Sequence, residues 1–371
     1  MIPSRHAGAF LEIDLAAIRA NYRALRERLG AVDCAAVVKA DAYGLGAATV
    51  APTLAAEGAT TFFVAHLDEA IALRWAVPMA EIFVLNGLVP GAEAEFVASR
   101  IRPVLNSLGQ VDAWSAAGRR VGKPLPAAIQ LDSGMSRLGL PEAELAVVAE
   151  EPGRLDGVAL RLVMSHLACA ERQDDPMNRA QRARFEAGRR RLPAAAASLA
   201  NSSGIFLGSD FHFDLARPGA ALYGLNPIAG GENPMRPVVR LFARIVQVRE
   251  IAAGARVGYG GTFTAGRPTR IATVAVGYAD GYLRSLSRTA TAHFGGRPVP
   301  LVGMVSMDTA TFDVTEAPDA VEGGLIELIG AQQPVDTLAA EAGTIGYEML
   351  TSLGHRYART YAGAEKERLI A

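Results

Sequence analysis

Five polar side chains stand where apolar runs of this sequence end. Lys39 follows Ala35-Ala36-Val37-Val38, Arg137 lies in "QLDSGMSRLG", His166 closes "ALRLVMSH", Ser202 sits in "LANSSG" and Arg217 in "LARPG". A lysine at such a position can pack its stem on apolar surface while the ammonium reaches water. Alternatively its amine is desolvated enough to lose the proton near neutral pH and attack a carbonyl. The turn "ADAYGLG" follows, with Tyr43 and two glycines, and the glycines are expected to let the backbone reverse there.

"NSSG" and "RPGAALYG" read as anion-binding turns, since glycine lets backbone N–H groups approach an anion and a serine hydroxyl adds a donor. Helix capping by Ser202 or Ser203 is the plainer alternative. A lysine together with a phosphate cradle suggests pyridoxal 5'-phosphate (PLP) held through the lysine. Arg217 is then the group to set against the pyridine nitrogen. A guanidinium keeps its proton, so the ring would stay unprotonated and withdraw electrons less strongly. His166 alone reads as a satisfied strand-end histidine; its place beside Arg217 on the neighbouring strand end is what raises it to a candidate.

Positioning these groups takes a particular scaffold. Eight strand-like runs ("AAVVKA", "TTFFVAH", "EIFVLNG", "IRPVLNS", "LPAAIQLD", "ALRLVMSHL", "AASLANSS", "FDLARPG") alternate with helical stretches such as "LAAIRANYRALRERLG". That count predicts an α/β fold with an N-terminal (β/α)8 barrel, whose active site lies at the C-terminal ends of the strands. An open doubly wound sheet is the competing architecture. After "NPIAGGENPMRP" the pattern turns to closely spaced strands, predicting a C-terminal β-rich domain. The expected boundaries are 10–234 for the barrel and 235–371, with residues 1–9, for the second domain.

Bulk properties narrow the function. Half of the 371 residues are hydrophobic and the formal net charge is −1, leaving no electrostatic footprint for nucleic acid or an anionic membrane. Cys34 and Cys169 are far apart and form no metal spacing, so no metal is expected and Cys34 reads as a buried small residue. The N-terminus lacks the apolar core of a signal peptide, and no run approaches the roughly 20 apolar residues that span a bilayer. A cytoplasmic protein acting on a small molecule is the expectation.

The motifs "VVKADAYGLG", "LDSGMSRLG", "SHLACAE", "LARPGAALYG", "VGYGGTF", "VGYADGY" and "VSMD" occur in this order. Together the sequence resembles the bacterial alanine racemases, PLP-dependent enzymes of fold type III, from "LEIDLAAIRAN" to "GYEMLTSLGHRYARTY". The resemblance implies interconversion of L- and D-alanine by two bases, supplying D-alanine for peptidoglycan. It implies that Lys39 carries PLP and acts as one base, with Tyr259 of "VGYGGTF" as the other. The family forms head-to-tail homodimers with shared sites, so Tyr259, Met307 and Asp308 are expected from the second subunit. Tyr43, Ser202, Gly219, Ala220 and Tyr347 would hold the phosphate. Arg217 would meet the pyridine nitrogen and His166 would bridge Arg217 towards Tyr259. Arg137 would reach the cofactor's phenolic oxygen and, with Met307, the substrate. Tyr278 and Arg284 would line the entrance. The chemistry suits these residue types, because racemisation needs acid/base groups on opposite faces of the α-carbon.

Two departures from the family pattern stand out. Leu45 replaces the histidine of "KADAYGHG", which is expected to change packing and not catalysis. Gln130 stands where many members carry a carbamylated lysine bonded to the arginine, so Arg137 needs another support: Gln130 itself or a bound anion. Three alternatives remain: a serine or broad-spectrum racemase, a decarboxylase of the same fold, and a non-catalytic PLP carrier. Ser306 and Met307 stand where the decarboxylase would need a cysteine, and "VGYGGTF" is superfluous in a carrier.

Overall fold

The computed structural model describes residues 6–287 and 289–363. They form two compact units: one runs from Ile18 to Met235, and the other combines the residues up to Ala17 with those from Arg236 onward.

The first unit is a barrel of eight parallel strands. The first strand is written in two pieces, Asp33–Cys34 and Ala36–Val37. Thr61–Val64, Glu81–Val84, Arg102–Leu105, Leu125–Gln130, Val158–Met164 and Ala196–Ser198 follow in sequential order, each pairing with its predecessor. The eighth strand is short, Leu215–Ala216, and it closes the ring. It pairs in parallel with Asp33–Cys34 on one side. On the other, Arg217 bridges Asn201 and Asp214 donates its N–H to the Ala197 carbonyl at 3.0 Å. The strands are short apolar runs, as expected where both faces are covered by side chains and helices. Phe62, Phe63, Phe83, Val84, Val104 and Ile129 are all buried, and the Phe63 and Phe83 rings stack with centroids 5.1 Å apart.

The surrounding helices show ordinary local causes. Leu108–Val121 starts at Ser107, whose Oγ accepts the Gln110 N–H, and stops at Gly122 in the left-handed region. Its buried face carries Val111 and Trp114, and the Trp114 ring meets Phe96 edge-on at 5.9 Å. Leu15–Leu29 buries Ile18, Tyr22 and Leu25, and the Tyr22 hydroxyl donates to the Cys34 carbonyl in the first strand.

The second unit is built on an eight-stranded sheet. Its spine is the 13-residue strand Val239–Ile251. The first half of that strand pairs with Ala9–Asp14 and Leu325–Ile329, and the second half with Thr269–Val274. Ala9–Asp14, far away in sequence, is thus an interior strand, flanked on its other side by Ala358–Ala362. Its leading residues Ala9, Phe10 and Leu11 are buried. The sequence reading of a barrel followed by a strand-rich domain holds.

Candidate active site

The first barrel strand ends on Val37; buried Val38 follows, and Lys39 comes next, half-buried. The chain then makes one full turn of left-handed helix within Lys39–Gly44: φ is 51°, 54°, 55° and 57° at Ala40, Asp41, Ala42 and Tyr43. Glycine was expected to do this work. Instead four residues bearing a Cβ adopt the conformation before Gly44 prolongs it and Leu45, at φ −101°, ends it, at a cost of about 1–2 kcal/mol for each non-glycine residue. Such a turn persists only when its surroundings hold it. The Ala42 N–H bonds the Val38 carbonyl and the Gly46 N–H the Asp41 carbonyl. Asp41 Oδ1 accepts the Ala47 N–H at 2.7 Å, and Glu69 Oε1 accepts the Ala40 N–H at 2.6 Å.

The turn delivers Tyr43 into the barrel mouth, where its ring tilts against Tyr223 at 4.7 Å between centroids. Tyr43 also lies against Gly219, which follows the eighth strand: a Cβ there would sit 3.0 Å from the Tyr43 Cζ and closer still to its hydroxyl. Ser202, after the seventh strand, is buried and does not cap its own turn. Its Oγ reaches across to accept the N–H groups of Gly219 and Ala221, at 2.9 and 3.1 Å. Ala220 is buried at the start of the short helix Ala220–Tyr223. The loops after strands seven and eight therefore form one cradle of backbone N–H groups, a serine hydroxyl and a phenol.

Arg217 is buried. It donates Nη2–H to the Ser165 carbonyl at 2.6 Å and Nη1–H to Ser198 Oγ, and its guanidinium faces the Phe63 ring. Burial pushes the guanidinium down to about 9, which still leaves it cationic at neutral pH. His166, beside Ser165, is pushed down to about 3, first by burial and then by Arg217, Arg137 and Lys39. Its imidazole is therefore neutral at physiological pH. The Lys39 amine is also lowered, by burial first and then by Arg137, against an opposing pull from Glu69. Lys39, Arg137, His166 and Arg217 thus share one electrostatic neighbourhood, and the positive charges favour neutral amine and imidazole.

Arg137 itself is exposed on the loop after the fifth strand. Gln130 is buried at the end of that strand, and its Nε2 donates to the Leu138 carbonyl at 3.0 Å. Of the two supports the sequence left open for Arg137, Gln130 or a bound anion, Gln130 acts on the backbone beside Arg137. Leu45 is fully buried. Cys34 is buried too, and burial pushes its thiol up to about 12, so it is inert.

Tyr259, Met307, Asp308, Tyr278, Arg284 and Tyr347 belong to the strand-rich unit. There the turns carrying them are laced together: Tyr278 and Ala279 donate N–H to the Ser306 and Met307 carbonyls, and Arg356 bonds both Asp280 and Asp308. A Cβ on Gly258, which precedes Tyr259, would lie 3.2 Å from the Met304 nitrogen. Tyr259 is 74% exposed and Met307 54%, and Tyr278 and Tyr347 are also exposed.

Comparison with known proteins fits this arrangement. The family model for the alanine racemase N-terminal domain matches residues 13–227, and that for the C-terminal domain matches residues 238–361. The chain belongs to the alanine racemase family. It is 54% identical to a catabolic alanine racemase of Mesorhizobium japonicum, covering 96% of this chain and 94% of the relative. It is also 54% identical to an alanine racemase of Acidiphilium cryptum, over 94% and 97% of the two chains. Among solved structures, alanine racemase from Bartonella henselae with covalently bound pyridoxal phosphate aligns with a TM-score of 0.93 at 43% identity, covering 96% of this chain and 99% of that one.

Within this alanine racemase scaffold, Glu69 is the residue the sequence reading missed. Its signal was present but belonged to another pattern. As the third residue of helix Leu67–Ala76 it completes a capping box, Oε2 accepting the Ala65 and His66 N–H groups at 2.7 and 3.1 Å. Nothing in the spacing revealed that its second oxygen would reach Ala40. Among the described residues no helix is long and apolar enough to cross a membrane, and no group of three or more His, Cys, Asp or Glu gathers as a metal site.

Proposed function

We propose that the chain racemises alanine with PLP held on Lys39, using Lys39 as the base on one face of the α-carbon and Tyr259 from a second copy of the chain on the other. The observation that carries this reading is the barrel mouth itself. A desolvated lysine amine, its proton disfavoured by burial and by Arg137, lies in one charge neighbourhood with a buried cationic Arg217.

The residues present fit the cofactor. The cradle of Ser202, Gly219, Ala220 and Tyr43 would suit a phosphate: Ser202 Oγ accepts the Gly219 and Ala221 N–H groups and so turns its own O–H outward as a donor, and the missing Gly219 side chain makes room for the Tyr43 phenol. When bound, PLP draws electrons away from the α-carbon and so acidifies its C–H bond.

The remaining chemistry belongs to the chain. The amine of Lys39 accepts or returns the α-proton on its face, and the Tyr259 phenol does so on the opposite face. A positioned acid/base group of this kind contributes about 10²–10⁴-fold. Arg217 keeps its proton, so it can hydrogen-bond a ring nitrogen without protonating it, which restrains electron withdrawal and limits misprotonation. His166, kept neutral by burial and by Arg217, would relay hydrogen bonding from Arg217 towards Tyr259. Arg137 supplies a cation for the substrate carboxylate, and Met307 bounds the space for its methyl group. Tyr347 joins the phosphate contacts, and Tyr278 and Arg284 flank the approach.

Sharing sites between two copies accounts for the exposure of Tyr259, Met307, Tyr278 and Tyr347 in the strand-rich unit. Such a homodimer covers side chains that a lone chain leaves in water. In domain terms, the barrel unit, which begins at Ile18 and not at the expected residue 10 because Ala9–Asp14 is a strand of the second sheet, binds the cofactor, and the second domain completes the other copy's site. Two free cysteines suit a reducing cytoplasm. We assign the D-alanine formed to peptidoglycan; the relatives named catabolic support a second reading, in which the enzyme consumes D-alanine. A deletion strain that needs added D-alanine supports the first, and one that only loses growth on D-alanine supports the second.

The primary test is circular dichroism of L-alanine over time with purified protein and added PLP. Decay to zero is expected. Persistent optical activity with cofactor bound shifts the function to another amino acid or to a carrier. Tyr259→Phe should slow the two directions unequally while the cofactor's absorption stays in place. Mixing inactive Lys39→Ala with Tyr259→Phe protein should restore part of the activity if the sites are shared.

A further inference from the structure

The left-handed turn after Lys39 needs an external hold, and its first N–H receives one from another element. Within the turn, Ala42 and Gly46 bond to carbonyls of residues 38 and 41, and the Asp41 carboxylate ties down Ala47. At Ala40, the residue bonded directly to Lys39, the acceptor is Glu69 Oε1, at 2.6 Å. The other oxygen of the same carboxylate holds Ala65 and His66, where the second barrel strand passes into helix Leu67–Ala76. The strand beneath is paired as well: Val38 donates to the Phe63 carbonyl at 2.9 Å. One carboxylate therefore spans the tops of strands one and two.

We propose that Glu69 is a positioning residue for the Lys39 amine. Its carboxylate locks the backbone on the C-terminal side of Lys39 to the second strand's helix and so fixes the direction in which the amine projects. The hydrogen bonds are charge-assisted, the stronger class. They act on the residue adjacent to the amine-bearing one, where a small rotation of the backbone is amplified along the four-carbon lysine stem. Glu69 works through Lys39 and not on substrate. The proposal rests on the reading of Lys39 as the reactive amine.

The test compares Glu69→Ala with Ser107→Ala, which removes a helix cap from Leu108–Val121 and touches none of the site residues. Deuterium exchange of the peptide covering residues 39–46 is measured on the full-length enzyme, and kcat and KM for alanine on the same preparations. Loss of the charged acceptor should speed exchange of that peptide by about tenfold or more. A misdirected amine should lower kcat by about 10–100-fold while KM stays near the wild-type value. Glu69→Gln, with one acceptor oxygen left for two sets of donors, should fall between.

Amine labelling adds a readout independent of turnover. The chain has three lysines, Lys39, Lys123 and Lys366, so cofactor-depleted full-length protein can be alkylated across a pH series and Lys39 read against Lys123 by mass spectrometry. The Lys39 profile should move in Glu69→Ala and stay put in Ser107→Ala. Unchanged exchange of residues 39–46 in Glu69→Ala overturns the proposal, because a purely electrostatic influence would move the labelling profile alone. Equal effects from Ser107→Ala overturn it too, by reducing Glu69 to a helix cap. If exchange and labelling respond while alanine keeps its optical activity, the positioning role stands and the racemase reading falls.

Discussion

Tyr43 and Gly219 meet face to face across the closure of the barrel: the phenol of one occupies the space in which the other's side chain would begin. Gly219 does not need a left-handed backbone, since its φ is −127°; it needs the room. Gly219→Ala should therefore push Tyr43 aside, costing about 1–3 kcal/mol as overpacking and weakening PLP binding. Adding Tyr43→Phe, which removes the clashing hydroxyl, should recover part of the stability but not the affinity. Thermal unfolding and cofactor titration of the single and double variants check both halves.

Gln130 offers a comparison between holding a loop and compensating a charge. Its Nε2 supports the Leu138 carbonyl, next to Arg137. Gln130→Leu should free that loop and raise KM for alanine several-fold with little change in kcat, the loss of one hydrogen bond being about 0.5–1.5 kcal/mol. Arg137→Leu should do more, since it removes the cation itself. A kcat that falls as steeply as KM rises would assign Gln130 to the chemical step instead.

His166 makes stability depend on pH with a definite sign. In the folded chain its imidazole is lowered to about 3, by burial first and then by Arg217, Arg137 and Lys39, whereas in the unfolded chain it titrates near ~6.5. Between those values the unfolded state binds more protons, so the histidine's contribution is present above about 6.5 and is lost as pH falls towards 3. His166→Gln should flatten the rise of Tm between pH 4 and about 6.5. A slope identical to wild type would place the acid sensitivity elsewhere.

Arg356 ties buried Asp280 to Asp308 in the strand-rich unit, with contacts of 2.6 to 2.8 Å. Arg356→Ala removes the charged partner of the Asp280 carboxylate, whose Oδ2 keeps the Gly277 N–H at 2.9 Å, and unlinks the turns that carry Tyr278 and Met307. We expect a lower denaturation midpoint and a higher KM for alanine. Chemical denaturation and steady-state kinetics read the two effects separately.

The sequence made the barrel legible because each strand is a short apolar run set between helices of clear period, as in "TFFV" and "EIFV", and the count of eight favoured a closed barrel over an open doubly wound sheet. Even the eighth strand, only two residues long, was marked by the Arg-Pro-Gly that follows it. What stayed hidden had no local signature. Ala40 to Tyr43 have ordinary propensities, and their left-handed conformation comes from bonds to residues such as Glu69, distant in sequence. For Ser202 the sequence left an anion-binding turn and a helix cap both open, because its bond to Gly219 spans two loops. Gln130 was visible as a departure, but a sequence cannot say which carbonyl an amide will choose.

The brevity of the eighth strand has one more consequence. Leu215–Ala216 is the last stave of the barrel, fastened to Asp33–Cys34 by only a few hydrogen bonds. The stave on one side of this seam leads to Lys39 and Tyr43, and the stave on the other leads to Arg217 and Gly219. A ligand gripped by both sides acts as a clasp, so taking up the ligand and keeping the cylinder shut become one equilibrium. Binding to the closed form alone deepens its stability in proportion to the logarithm of ligand excess. A short joint of this kind would thus be strengthened by the same ligand that it helps to hold.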